Sequence, residues 1–412
     1  MKRKIALVCV AALAGTMMLT GCGSKEEGKA EAAGDGKAKV RFATWDVADD
    51  VDAQQALVDK FNEEHDDIEV TLEAYGSDFD TKISAGMGSG DTPDVVYMWN
   101  YPAYANGLEP LDEYIEKEGD DFKDNIYSTL WNYNSLDGTT YGMPVGFTTH
   151  ALFYNKDLFA EAGIDEPTDD WTWEDLKTAA KTIEEKTGQK GFAFQMKPDP
   201  YDFEMYLWSN GTAYCDEEGQ MAGKIDSAES QEVFQMFQDM EKDGYAIATE
   251  KNGTDEFRAG TAAMYIYGSW SIGSLDKDGM NYGIAKIPSF EGKTSVSILS
   301  SSGLSISKDS KNKEAAWEFV KYWTGEECNK ARIGIELPVL NSVVESEGIM
   351  KEEKYAPFYK MLEQSDGHTP ASFLIEDWSE ISENLSLSFE QLFNPSAYMD
   401  VNEVLTEAAD AQ

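Results

Sequence analysis

The chain reads as an α/β protein organised in two units, and three observations predict this. Between residues 40 and 98, β-type and helix-type runs alternate as strand–helix–strand–helix–strand, the pattern of a layer with parallel strands. The alternation restarts near residue 147 and continues to residue 323. The length, 412 residues, suits two or three domains rather than one.

The elements follow in order. Val40-Arg41-Phe42-Ala43-Thr44-Trp45 is strand-like. Ala53, Leu57 and Phe61 recur every four residues, so residues 51–64 are expected to form an amphipathic helix. Ile68, Val70 and Leu72 alternate as in a strand. Residues 79–87 are helical in pattern and stop at Gly88-Ser89-Gly90. Pro93-Asp94 then turns into a buried strand, Val95-Val96-Tyr97-Met98.

The second unit opens with a strand from Phe147 to Tyr154. Thr172 is placed to cap a helix and Asp175 to reciprocate from the third helical position. Leu176, Ala179, Ala180 and Ile183 form that helix's apolar face, and Gly188 closes it. A short strand at 192–196 precedes a helix at 228–243 carrying Val233, Phe234 and Phe237. Strands at 262–267 and 282–287 and a serine-bearing β stretch at 296–306 follow. Residues 313–323 are a helix on which Trp317 and Trp323 are assigned to packing. Beyond about 346 the chain is mostly helical. There is no internal repeat.

The first residues are an address. Lys2-Arg3-Lys4 is basic, and Ile5 to Leu19 is an apolar run of 15 residues. A membrane helix needs about 20, so this run fits the core of a secretory signal. Leu19-Thr20-Gly21-Cys22 resembles the bacterial lipobox, which implies a signal peptide over 1–21 and a lipidated (palmitate-bearing) Cys22. Residues 22–37 are small and polar and cannot bury a core, so they are expected to be a flexible tether from the lipid anchor. The folded part is then expected on the outer face of the cytoplasmic membrane, held by acyl chains.

Composition narrows the function. Acidic residues number 77 against 34 basic, a net charge of −43 that becomes −46 once the three basic residues of 1–21 leave. Nucleic acid is excluded as a partner, since phosphate binding needs a basic footprint. At 42% hydrophobic and 12% aromatic residues, the chain has what a packed core requires and is not an acidic disordered protein. Four cysteines make no disulfide scaffold, and sequence leaves open whether Cys215 and Cys328 pair.

Enzymatic signatures fail where they are tested. Gly292-Lys293-Thr294 ends like a P-loop, but Ile287 stands where the leading glycine belongs. The three histidines, His65, His150 and His368, form no zinc motif, and no C-x-x-C or G-x-S-x-G occurs. Asp276-Lys277-Asp278-Gly279 copies the start of a calcium loop, but Met280 and Ile287 replace later ligands. No metal and no cofactor is expected.

What remains is a set of aromatic and polar residues at strand ends, where open α/β sheets bind ligands. Trp45-Asp46 ends the first strand and Trp99-Asn100-Tyr101 ends a later one. Asp199-Pro200-Tyr201 and Gly268-Ser269-Trp270 follow two more, and Trp378 lies in the C-terminal helices. These types suit a sugar: a ring covers the apolar pyranose face while carboxylates and amides meet its hydroxyl rim. Each aromatic serves equally as packing, and Asp46 and Asp199 equally as turn or cap residues.

Residues 141–188 carry a resemblance to bacterial extracellular solute-binding proteins, family 1. Its marks are Gly142-Met143-Pro144, Tyr154-Asn155-Lys156-Asp157-Leu158 and Trp173-Glu174-Asp175-Leu176. Pro93-Asp94-Val95-Val96, Leu108-Glu109-Pro110-Leu111-Asp112 and the run Phe257 to Met264 agree, as do Gly268 with Trp270 and Tyr282-Gly283 with Pro288. The similarity runs from about 38 to the end and is strongest to the maltose- and oligosaccharide-binding branch.

The resemblance implies a two-lobed periplasmic-binding-protein-like fold, with discontinuous α/β lobes joined by hinge segments and the ligand in the cleft between them. Lobe 1 would be 38–146 with 296–340, and lobe 2 would be 147–295 with 346–412; hinges fall near 146, 296 and 342. It implies capture of a carbohydrate, an oligosaccharide, and delivery to ABC permease subunits by hinge closure, with no catalysis by this chain, which acts as a monomer. Trp45, Asp46, Trp99, Asn100, Asp199, Tyr201, Trp270 and Trp378 are the implied ligand contacts. Thr148 is a further one, at a position where the maltose-binding relative has an acidic contact, and this departure points away from maltose itself. The rivals are a surface glycosidase, which sugar hydrolysis would reveal, and a binding protein for a polyamine or peptide, which would bind no sugar.

Overall fold

Val40 and Phe42 point into a core from the first strand, β1 (Ala38–Thr44), and its neighbours repeat the pattern. β2 (Ile68–Ala74) and β3 (Val95–Met98) flank β1, both parallel to it, with Phe42 opposite Leu72 on one side and Val95 on the other. The expected parallel layer is therefore present. The computed structural model describes residues 36–365 and 368–412. The secretory signal, Cys22 and nearly all of the tether lie outside the described residues.

Between these strands run α1 (Asp49–Glu64) and α2 (Phe79–Ser89), the latter closed by Gly90 in the left-handed conformation. The buried face of α1 is Gln54, Val58 and Phe61, turned from the expected Ala53-Leu57-Phe61 stripe. A polar residue causes the turn: the Gln54 amide donates to the Asp46 carboxylate at the end of β1 and is drawn inward with it.

The long strand β4 (Met143–Asn155) is buried along all of its length. Its first half pairs with β9 (Leu299–Ile306), which also pairs with β3, all antiparallel. Its second half is flanked by β7 (Met264–Gly268) and β8 (Tyr282–Ala285). The sequence restart near 147 thus falls within one strand that carries the seven-stranded sheet across the molecule. A separate parallel pair joins β5 (Phe192–Gln195) to β6 (Ala246–Thr249).

Two hydrophobic cores lie on this frame. One gathers Phe42, Phe61, Tyr97, Phe319 and Trp323; the other gathers Trp173, Phe194, Phe203, Phe237 and Phe389. β4 contributes to both by strand alternation, Ala151 and Phe153 to the first and Leu152 and Tyr154 to the second. The helix α3 (Trp173–Thr187) starts with the expected reciprocal cap between Thr172 and Asp175 and stops at Gly188 in the left-handed conformation. Val233, Phe234 and Phe237 are the buried face of α4 (Ala228–Lys242). Trp317 and Trp323 on α5 (Lys313–Thr324) are buried, as packing residues should be, and the Trp323 indole donates to the Tyr97 hydroxyl at 2.9 Å. Cys215 and Cys328 are both buried and both free. Among the described residues, no helix is long and apolar enough to cross a membrane.

Candidate functional site

β1, β3, β5 and β7 all deliver side chains just past their carboxyl ends, which is where this class of sheet leaves room for a ligand. The nine sequence-nominated residues line two pockets, of about 520 and 470 Å³. Trp45, Asp46, Thr148 and Trp270 line the first. Trp99, Asn100, Asp199, Tyr201 and Trp378 line the second. Tyr133 joins the two: it neighbours Tyr201 on one side and Ser300, which lines the first pocket, on the other.

In the first pocket, Trp45 is half-buried against Phe79 and Tyr97, at 5.3 and 5.0 Å between ring centroids. Asp46 accepts from the Thr44 hydroxyl at 3.2 Å and from the Gln54 amide. Burial, and then the negative charge of Glu336, push the Asp46 carboxyl up to about 6. A carboxylate kept in this state gains by receiving hydroxyl donors. Thr148 sits mid-strand in β4, within 3.1 Å of the Ser269 hydroxyl.

Trp270 is 50% exposed, an unusual position for the largest apolar side chain. Its indole is held edge-on by Tyr267 at 4.9 Å and His150 at 5.6 Å. It also lies back over Gly268, where an added Cβ would come within 2.3 Å of the ring, so only glycine permits this pose. One face is supported and much of the rest is open, the arrangement of a stacking platform.

His150 behind it is part of a buried polar chain. Its Nε2 is 3.0 Å from Asp202, which accepts from Asn252 at 2.8 Å, and Asn252 also donates to Gln195 at 2.9 Å. This chain ties the strand under Trp270 to the turn that carries Asp199 and Tyr201.

In the second pocket, the Asp199 carboxylate caps the turn Pro200–Glu204, accepting from the Tyr201 amide at 3.0 Å. Its cap role and its place in the pocket coexist. Tyr201 meets Trp99 edge-on at 6.1 Å, and its hydroxyl is buried with no hydrogen-bond partner of good geometry among the described residues. Tyr133 presents a second such hydroxyl. Trp378, the first residue of α6 (Trp378–Leu392), backs onto Tyr214 at 6.2 Å, with Phe373 in the same pocket. Glu204 secures this rim: it accepts from the Tyr214 and Ala371 amides at 3.1 and 2.9 Å, and burial pushes its carboxyl up to about 8.

The sequence reading did not single out Glu336, Ser269, Ser300, Ser302 or Lys277 in the first pocket, nor Lys197 and Phe373 in the second. Ser269 directly precedes Trp270 in the sequence, a usable signal, whereas Phe373 stands five positions before Trp378 and carries none. Glu336 had none, being one carboxylate among many.

Known proteins share the family and the fold of this chain. A family model described as bacterial extracellular solute-binding protein matches residues 45–330. A binding protein of Brucella abortus (strain 2308) is 27% identical over 345 residues, 80% of each chain. Among solved structures, the cyclic alpha-maltosyl-1,6-maltose binding protein from Arthrobacter globiformis superposes with a TM-score of 0.77 at 24% identity, covering 91% of this chain and 99% of that one. The ABC substrate-binding protein Lmo0181 from Listeria monocytogenes, solved with cycloalternan, gives a TM-score of 0.75 at 24% identity over 91% and 98%.

Proposed function

Because the chain belongs to the bacterial extracellular solute-binding protein family, we propose that it is the extracytoplasmic receptor of an ABC importer and that its cargo is an oligosaccharide. The observation that carries this reading is the pair of pockets, each with aromatic rings and polar acceptors, lined by seven residues that follow strand ends together with Thr148 and Trp378. Rings cover the apolar faces of sugar units; Asp46, Asn100, Thr148 and Asp199 take the hydroxyl rim. Of the two solved relatives named above, one is a cyclic alpha-maltosyl-1,6-maltose binding protein and the other is solved with cycloalternan, and this supports the carbohydrate class.

The receptor captures and releases; it does not catalyse. Its two lobes, 38–146 with 296–340 and 147–295 with 346–412, close on the sugar about hinges near 146, 296 and 342. β4 gives alternate residues to both cores, Ala151 and Phe153 to one and Leu152 and Tyr154 to the other, and so joins the two. The closed form docks on the permease subunits. Cys22 carries the lipid that keeps the receptor, a monomer, at the outer face of the cytoplasmic membrane.

A thermal-shift screen against mono- and oligosaccharides, amines and peptides tests the cargo class. A ligand that binds only the folded state at 100 times its dissociation constant stabilises it by about 2.7 kcal/mol. The expected result is a raised midpoint with one oligosaccharide class and no products of hydrolysis. A shift with amines or peptides alone overturns the carbohydrate reading, and hydrolysis overturns the receptor reading.

A further inference from the structure

We propose that Glu336 is a ligand-binding carboxylate of the first pocket and the residue that sets which hydroxyl pattern the pocket accepts. The proposal rests on the carbohydrate reading above and assigns a contact that the strand-end rule does not reach.

The side chain is built for this. Its Oε1 accepts from the Ser302 hydroxyl at 2.6 Å and its Oε2 from Arg332 Nε at 3.2 Å. Arg332 is itself buried and anchored at its other nitrogens, donating to the Trp323 carbonyl at 2.9 Å and the Val145 carbonyl at 3.1 Å. Its guanidinium also lies over the Trp323 ring at 5.2 Å. The carboxylate therefore cannot swing away. Gly146 packs against it so closely that an added Cβ there would lie 2.6 Å from its Cδ. The side chain is nonetheless 18% exposed, and that face lines the first pocket.

A carboxylate has about four acceptor sites, and protein donors fill two here. The exposed part of the side chain lines the cavity that Asp46 also lines, and the Glu336 charge helps to raise the Asp46 carboxyl. Two carboxylates lining the pocket that Trp270 also lines, one held by arginine and one by a glutamine amide, present acceptors to a sugar. A sugar with hydroxyl donors at both positions fills them. A sugar lacking one leaves a desolvated acceptor empty, and that asymmetry is the source of discrimination. Glu336 also supplies, from a different segment, an acidic group to the pocket in which Thr148 supplies only a hydroxyl.

The test is calorimetric titration of the full chain and of E336Q with glucose-, galactose-, mannose- and xylose-based mono- to tetrasaccharides. The tightest binder is then compared with its monodeoxy analogues. A hydrogen bond to a charged group is worth roughly 1.5–3 kcal/mol, so E336Q is expected to bind roughly ten- to a hundredfold more weakly. One monodeoxy analogue is expected to lose that factor on the wild type and almost nothing on E336Q. A purely structural Glu336 gives equal losses for every analogue on both proteins and overturns the proposal. So does an E336Q variant that binds like the wild type. Wild-type protein that binds no sugar in the set overturns the carbohydrate reading itself, and this proposal with it. If E336Q does not fold, E336D carries the same comparison, since it keeps the charge near Arg332 but withdraws it from the pocket by one methylene.

Discussion

Asp46→Asn is expected to make the protein more stable and a weaker sugar binder at the same pH. The Asp46 carboxyl titrates at about 6 in the fold against an ordinary 3.8, because burial and Glu336 disfavour its charge. Since the folded value is raised, the folded state loses stability as pH climbs from 3.8 through 6, and the loss is complete above that window. The side chain is only partly shielded from solvent, so the penalty is about 1–3 kcal/mol. Asparagine keeps an oxygen for the Gln54 amide and the Thr44 hydroxyl and removes the charge.

Denaturant titrations should therefore show the variant more stable by that amount at pH 8 and indistinguishable near pH 3.5, below both values. Binding moves the other way. A ligand hydroxyl donating to a charged acceptor gains about 1.5–3 kcal/mol, and an amide oxygen returns only part of it, so affinity should drop about tenfold at pH 7.5. Wild-type affinity should fall as pH drops through about 6, while the variant's stays flat. A variant that is less stable at pH 8, or that binds as tightly as the wild type, contradicts the role given to Asp46. Stability given up at a site in exchange for function is a general pattern.

Trp270→Ala is expected to cost about 2 kcal/mol of binding, near thirtyfold in affinity, as truncation of an aromatic anchor in an interface does. The indole is 50% exposed and rests on Tyr267 and His150 by its edge, so its removal opens no core cavity. Unfolding free energy should stay within about 1 kcal/mol of the wild type. Intrinsic fluorescence titration gives the affinity and chemical denaturation gives the stability. Unchanged affinity would make Trp270 a rim ornament and shift the stacking role to Trp378.

The fold was legible where periodicity met punctuation. Thr172, Asp175 and Gly188 mark both ends of α3, and the first five elements alternate cleanly. β4 was not legible as one strand spanning both cores, because all 13 of its residues are buried and no in–out alternation survives in the sequence. The face of α1 was misjudged by one residue because hydrophobic pattern has no way to show that Gln54 is pulled inward by Asp46. Seven of the nine candidate site residues were picked at strand ends, where topology alone predicts a ligand. Glu336 and Ser302 reach the pocket through an irregular segment and a strand bulge, and neither leaves a pattern in one dimension.

The central claim is that the two pockets form one oligosaccharide site, and the most direct test is calorimetric titration with a homologous sugar series from one unit upward. The account predicts one molecule bound per chain, with affinity rising with length until the sugar reaches from Trp270 to Trp378 and levelling off thereafter. A monosaccharide bound as tightly as its oligomers, or two molecules bound per chain, would contradict it.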